Sequence, residues 1–225
     1  MNWTQVLPER MIQGIREEIQ EEHDQIESSP DRIHVTELTG CLRKAYLRRV
    51  SPVPLDLHQS LHMWRGRLLH STLLKHYEQR EVPLELPIGD FAIAGRADAV
   101  DGNTVVELKV TPSIHFIEKR GMPHPWHVRQ LQFYMHCLGK PFGELYYLDL
   151  SRALRFPVNS SFPHREGAIE IGSTVEEMKT LASELRHALE IGEAPRAVNV
   201  LEFGDGGAEC SRCEYRENCS EEAEK

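Results

Sequence analysis

Apolar and polar residues alternate along TVVELKVT, residues 104–111. Val106, Leu108 and Val110 share one side and Glu107 and Lys109 the other, the period of a strand that Pro112 halts. Strand patterns also cover VPLELPI (82–88), FAIAGRADAV (91–100), GELYYLDL (143–150) and LRFPV (154–158). Helical spacing takes over elsewhere. Residues 5–22 read as a highly charged helix set apart by the polar ESSPDR, and a second helix begins at Thr36, whose hydroxyl can cap it, and carries ELTGCLRKAYLRR. From residue 57 to 80, apolar positions at Leu57, Leu61, Trp64, Leu68 and Thr72 or Leu73 predict a long helix with one buried stripe. WHVRQLQFYMHCL (126–138) returns to helix and ends at Gly139. The last helix, STVEEMKTLASELRHALEIG, opens with Ser173 and Glu176 in capping-box spacing and closes on Gly192. This order predicts an α/β fold with a mixed central sheet flanked by helices. At 225 residues the chain suits one domain, read as 31–225, preceded by a charged helical extension over 1–30.

The strands 91–100 and 104–111 are close enough in sequence to form a hairpin. Its two-residue loop is either Asp101-Gly102 or Gly102-Asn103, and the pairing sets Asp98 opposite Val105 in the first case and opposite Glu107 in the second. Either way Asp98 and Glu107 share a face; a three-residue loop without a bulge would separate them. Carboxylates on directly opposed residues repel unless a cation or a proton sits between them. A divalent ion resolves the conflict, and hard oxygen ligands favour Mg2+ or Mn2+.

Charge changes the picture in one region. The formal net charge of -9 argues against binding polyanions by overall attraction. Lys and Arg number 3 against 9 Asp and Glu in residues 1–40, 8 against 2 in 41–80, and 7 against 15 in 161–225. The basic segment suits a phosphate track through Arg43, Lys44, Arg48, Arg49, Arg65 and Arg67, with Tyr46 or Trp64 for base stacking. No run of 18 apolar residues and no secretory leader at Met1 is seen, which predicts a cytoplasmic protein without a membrane span.

Three of the five cysteines form Cys210-x2-Cys213-x5-Cys219. Crowding of this kind in a cytosolic chain points to a metal, and a four-coordinate site needs one more ligand. Cys137, beside Gly139 at a helix end, reads as a small buried hydrophobe, whereas Cys41 lies in a polar, basic setting and is the better fourth ligand. Thiolates alone do not separate Zn2+ from an iron-sulfur cluster.

Asp98 followed by Glu107-x-Lys109 on the next strand resembles the PD-(D/E)xK nuclease superfamily. Gln130-x-x-x-Tyr134 on the following helix and His70 on a preceding one resemble its RecB-like branch. One distant cysteine plus Cys-x2-Cys-x5-Cys resembles the iron-sulfur staple of the AddB-type nucleases and of the CRISPR-associated exonuclease family designated Cas-four. The resemblance covers residues 36–219. It implies a RecB-type core in which His70, Asp98, Glu107 and the main-chain carbonyl of Leu108 hold one or two Mn2+ or Mg2+ ions. Lys109 would orient water or offset charge on the phosphate, and Gln130 and Tyr134 would position the DNA. Cys41, Cys210, Cys213 and Cys219 would bind a 4Fe-4S cluster. The implied substrate is DNA with single-stranded ends or overhangs. Exonuclease activity is implied and endonuclease activity left open. The implied role is prespacer trimming in CRISPR adaptation beside the Cas-one and Cas-two integrase. A stand-alone repair nuclease and a non-catalytic DNA-binding adaptor are the alternatives.

Overall fold

The computed structural model describes residues 8–25, 29, 31–54, 56–196, 210, 213–216 and 219. In chain order the elements are α1 (Glu9–Gln25), β1 (Arg32–His34), a one-turn α2 (Val35–Leu38), α3 (Leu42–Val50) and α4 (Leu57–Leu73). Then come β2 (Gln79–Ile88), β3 (Phe91–Asp101), β4 (Thr104–Val110), α5 (Ile114–Arg120) and α6 (Pro125–Cys137). The chain continues through β5 (Phe142–Leu148), β6 (Ala153–Val158), β7 (Ser161–Phe162), β8 (Ile169–Glu170) and α7 (Ile171–Ile191).

Alternating sequence makes the sheet, and two kinds of connection make it mixed. β2 runs antiparallel along β3, while the other edge of β3 is shared. β1 pairs there in parallel at 92–94, and β4 pairs antiparallel at 99–101. β4 then runs parallel to β5, and β5 antiparallel to β6. Asp101 pairs with Thr104, so the β3–β4 loop is Gly102-Asn103, with Gly102 at a φ of +56° that favours glycine.

Between α7 and the sheet lies α6, whose residues Val128 and Gln130 to Met135 are all buried. Leu131, Phe133 and Met135 from α6, Met178, Ala182 and Leu185 from α7, and Val105, Leu145 and Tyr147 from the sheet belong to the principal core. A helix buried over so much of its surface is a rigid platform, and it carries two of the candidate residues.

Several boundaries differ from the sequence reading, each for a local reason. The helix expected from Thr36 is two helices broken at Thr39-Gly40. Glu37 accepts the His34 N–H at 2.7 Å and so starts α2 early, and the Thr39 hydroxyl bonds back to the Thr36 carbonyl. Ser173 is not the cap of α7, because Ile171 donates its N–H to Ser160 O and β8 runs straight into the helix. Gly192 does end α7, at φ +72°, and Gly139 follows α6 at φ +61°. The expected buried stripe of α4 is the largest correction. Leu68 and Leu73 are 51 % and 45 % exposed, since α4 packs on α1 and β4 outside the principal core. Its Trp64 indole donates to Glu18 of α1 at 2.9 Å, which docks the charged N-terminal helix. Helix α5 and the β7–β8 pair have no counterpart in the sequence reading.

Candidate active site

The site forms where β3 loses its neighbours. β1 leaves its edge after Ala94 and β4 joins it only at Ala99, so residues 95–98 lie between the two. On the β2 side the register goes from Val82–Ala97 to Arg80–Ala99, and Glu81, opposite Asp98, adopts φ +50°. Asp98 thus sits at an irregularity on both sides. Its Oδ2 takes the place of a main-chain acceptor, receiving the Leu108 N–H at 2.7 Å. In extended backbone one residue's N–H and C=O point to the same side, so the Leu108 carbonyl also opens toward β3.

His70 comes in from the last turn of α4, its Nδ1 3.4 Å from Asp98 Oδ1. Burial would lower the imidazole pKa, but the hydrogen bond and charge of Asp98 and the charge of Glu107 outweigh it and raise the value. Glu107 is 3 % exposed. Burial, reinforced by Asp98, pushes its carboxyl up to about 7 against the pull of Lys109 and His70. One of its oxygens, Oε1, accepts Lys109 Nζ at 2.7 Å, and the other, Oε2, is buried with no hydrogen-bond partner.

Lys109 is held from a second direction. Its Nζ donates to Gln130 Oε1 at 2.8 Å, and Gln130 Nε2 donates to the Tyr134 hydroxyl at 2.8 Å. Because the amide nitrogen is committed to Tyr134, the amide oxygen must face the ammonium. Residues i and i+4 share a helix face, which is how α6 delivers both. Burial, then the charge of Glu107, raises the Tyr134 pKa and keeps the phenol protonated. Gln130 and Tyr134, expected to position DNA, are 4 % and 2 % exposed; Gln130 bonds Lys109 directly and Tyr134 backs Gln130.

Tyr134 can lie this close because β3 has Gly95 there: a Cβ would stand 2.9 Å from Tyr134 Cε1 and 3.2 Å from Val35 Cγ2. Gly95→Val is expected to cost about 1–3 kcal/mol of stability, read from urea unfolding, by forcing the ring aside.

Does a cation suit this donor set? Among the described residues no three His, Cys, Asp or Glu side chains stand as a closed metal-binding group. The open arrangement nevertheless suits one. Two carboxylates that feel each other's charge, one with an unpartnered buried oxygen, and an imidazole beside them are hard oxygen and nitrogen donors.

A profile of the PD-(D/E)XK nuclease superfamily matches residues 75–220, about two thirds of the chain and every one of these residues except His70. The chain belongs to the PD-(D/E)XK nuclease superfamily. Among solved structures, SSO0001 aligns with this superfamily member at 23 % identity and TM-score 0.65 over 96 % of this chain and 98 % of the other, a likeness of fold. An alkaline exonuclease from Laribacter hongkongensis, also solved with dAMP, aligns at 14 % identity and TM-score 0.48, over 72 % of this chain and 89 % of the other. The search of curated proteins returned no match.

The basic residues expected to form a phosphate track have partners within the chain, and two of the expected contacts, Arg49 and Tyr46, are buried. Arg49 is 8 % exposed in its side chain, forked onto Glu37 at 2.6 Å through Nε and Nη2, and bonded to the carbonyls of Ser29 and Arg32. Tyr46 is buried at 7 % and offers no stacking face. Lys44 and Arg48 pair with Glu214 at 3.1 and 2.7 Å, Arg43 reaches Pro195 O at 3.4 Å, Arg67 donates to Glu18 O and Arg65 contacts His62. The basic segment is therefore used largely to bind the acidic flanks of its own chain. Arg49→Ala is expected to lower stability by about 3 kcal/mol in urea unfolding, as for a broken buried pair, with DNA affinity within twofold of wild type by fluorescence anisotropy.

The same acidic flank docks the Glu214-Tyr215 segment onto α3, while among the described residues Cys41, Cys210, Cys213 and Cys219 do not stand as a closed metal-binding group. Tyr215, 1 % exposed, donates its hydroxyl to Ser51 O at 3.1 Å and accepts Val53 N–H at 3.3 Å. Cys41 is the N-cap of α3, and Cys213 lies near enough to Lys44 and Cys219 for both charges to act on it. Cys137 instead packs against the principal core, where burial pushes its thiol up to about 11.

Sequence reasoning missed the row behind Lys109. Parallel pairing sets Tyr147 of β5 beside Lys109, and the Tyr147 hydroxyl lies 2.6 Å from His127 Nδ1 and accepts the His124 N–H at 3.1 Å. Burial, then Lys109 and His124, holds the His127 pKa well below the usual histidine value, so its ring is neutral. The signal lay in HPWH (124–127) and the second tyrosine of LYYL, legible only once β4 and β5 are paired.

Proposed function

We propose that this nuclease is a Mn2+- or Mg2+-dependent deoxyribonuclease that acts on single-stranded DNA ends or overhangs. The observation that carries the reading is the buried, unpartnered Oε2 of Glu107 beside Asp98, with a lysine held against the other oxygen. His70, Asp98, Glu107 and the Leu108 carbonyl would hold the ion. A metal bound there would polarise the scissile phosphate and lower the pKa of an attacking water. Lys109, fixed by Glu107 and Gln130, presents its ammonium to that water or to charge growing on the phosphate. Gln130 and Tyr134 keep it aimed.

Cys41, Cys210, Cys213 and Cys219 are proposed as ligands of a 4Fe-4S cluster. The docking of the Glu214-Tyr215 segment onto α3 supports this, since it draws the tail toward the helix that Cys41 caps. The cluster would tie segments with 168 residues between them and serve as a structural staple. Iron and acid-labile sulfide assays on anaerobically purified protein test it, and zinc without sulfide would overturn it. On the Cas-four resemblance the proposed role is trimming of prespacers for the Cas-one and Cas-two integrase.

Incubating end-labelled single-stranded and duplex DNA with the protein in Mn2+, Mg2+ or EDTA tests the activity. Cleavage is expected with the metals and not with EDTA. Cleavage that survives in Asp98→Ala would overturn the reading.

A further inference from the structure

Beside the site lies a cavity of about 670 Å3 between the start of α6, the β7–β8 loop and α7. None of the residues placed in the reaction lines it. Trp126 and Arg120, which do line it, lead from it to the site. The Trp126 ring stacks on His124, with centroids 4.3 Å apart and planes 20° from parallel. His124 meets His127 and Tyr147 edge-on, and Tyr147 is the cross-strand neighbour of Lys109. Arg120 Nη1 sits 3.0 Å from His124 Nδ1.

The near wall is basic and aromatic. Arg165 reaches Arg120 O through Nη2 at 2.9 Å, and His164 turns a buried Nε2, without a hydrogen-bond partner, among these residues. The far wall, from β8 and α7, carries Glu170 and Glu177: Glu177 pairs with Arg129 at 2.9 Å, and Glu170 accepts the Ser161 hydroxyl at 2.5 Å. Glu166 also lines the cavity. A volume of this order takes small-molecule-sized groups and not a duplex.

We propose that this cavity seats the DNA strand on one side of the scissile phosphate, with Trp126 as a base-stacking platform and Arg165 as a phosphate contact. The inference rests on the nuclease reading above and adds to it a strand path: a single strand leaving Lys109 passes the His127–His124 row and enters between Trp126 and the β7–β8 loop.

Fluorescence anisotropy with a fluorescein-labelled oligothymidylate tests this on the full-length protein. Trp126→Ala is expected to weaken binding about tenfold, the loss typical of one stacked base, and Trp126→Phe to stay within about threefold of wild type. Arg165→Ala, which removes an exposed side chain, is expected to make the plot of log affinity against log salt shallower by about 0.7, as for one lost single-strand phosphate contact. Wild-type affinity in both alanine variants overturns the proposal, as does a Trp126→Phe protein as weak as Trp126→Ala. Unchanged salt dependence in Arg165→Ala removes the phosphate contact. The nuclease reading fails by a different result, namely DNA cleavage by wild type that Lys109→Ala leaves intact.

Discussion

Replacing Glu107 with glutamine is expected to abolish metal-dependent DNA cleavage, by about a thousandfold or more, while raising the melting temperature of the metal-free protein by a few degrees. The two effects have one cause. Glu107 is a buried carboxylate beside Asp98 with an oxygen that bonds to nothing described, so the metal-free fold carries a charge in a place that disfavours it. Glutamine keeps an oxygen for Lys109 and removes the charge. For a chain of this size 1 kcal/mol corresponds to about 2–4 °C. Mn2+ at a hundred times its dissociation constant is expected to stabilise wild type by about 2.7 kcal/mol, and the variant by nothing measurable. Differential scanning calorimetry with and without Mn2+ checks all three. A variant that melts lower than wild type in EDTA would show that the Glu107 charge is not a burden on the fold.

Lys109→Ala is the second change with a large expected effect, a loss of about 10²- to 10⁴-fold in kcat with metal affinity retained. It does more than delete a cation, because the ammonium is the meeting point of Glu107 and the Gln130–Tyr134 pair. Gln130→Leu leaves the charge in place but takes away one of its two holders, and about a tenfold loss is expected. Single-turnover cleavage at saturating Mn2+ separates these from effects on metal binding. Equal losses in the two variants would mean that orientation, not charge, dominates the contribution of Lys109.

The hairpin was the most legible part of the sequence, because a period of two fixes which residues share a side and either two-residue loop leaves Asp98 and Glu107 on one face, although only the Asp101–Thr104 pairing decides the register. Asp98, Glu107 and Lys109 could be found from that alone. That β4 stops pairing with β3 at Ala99 could not, since alternation says nothing about where a ladder ends. Nor does i, i+4 spacing say whether a face is open. Gln130 and Tyr134 were placed on the correct face of α6, and their burial changed what they can touch. Charge counting located the basic segment but not its partners, and Arg49, enclosed by Glu37 and two carbonyls, is the plainest case. The α4 stripe failed for a related reason: helical periodicity shows that a helix has an apolar side, not that the principal core lies beneath it. His127 and Tyr147 required knowing that strands 38 residues apart in sequence lie side by side, Lys109 against Tyr147.

The unfinished β3–β4 ladder has a consequence for engineering. Stabilising changes are easy to find and their recurrent cost is lost function, and here one more main-chain rung would take the Leu108 amide away from Asp98. Clones gained by zipping this hairpin would survive hotter assays as inert proteins. A screen that scores folding alone would keep enriching them.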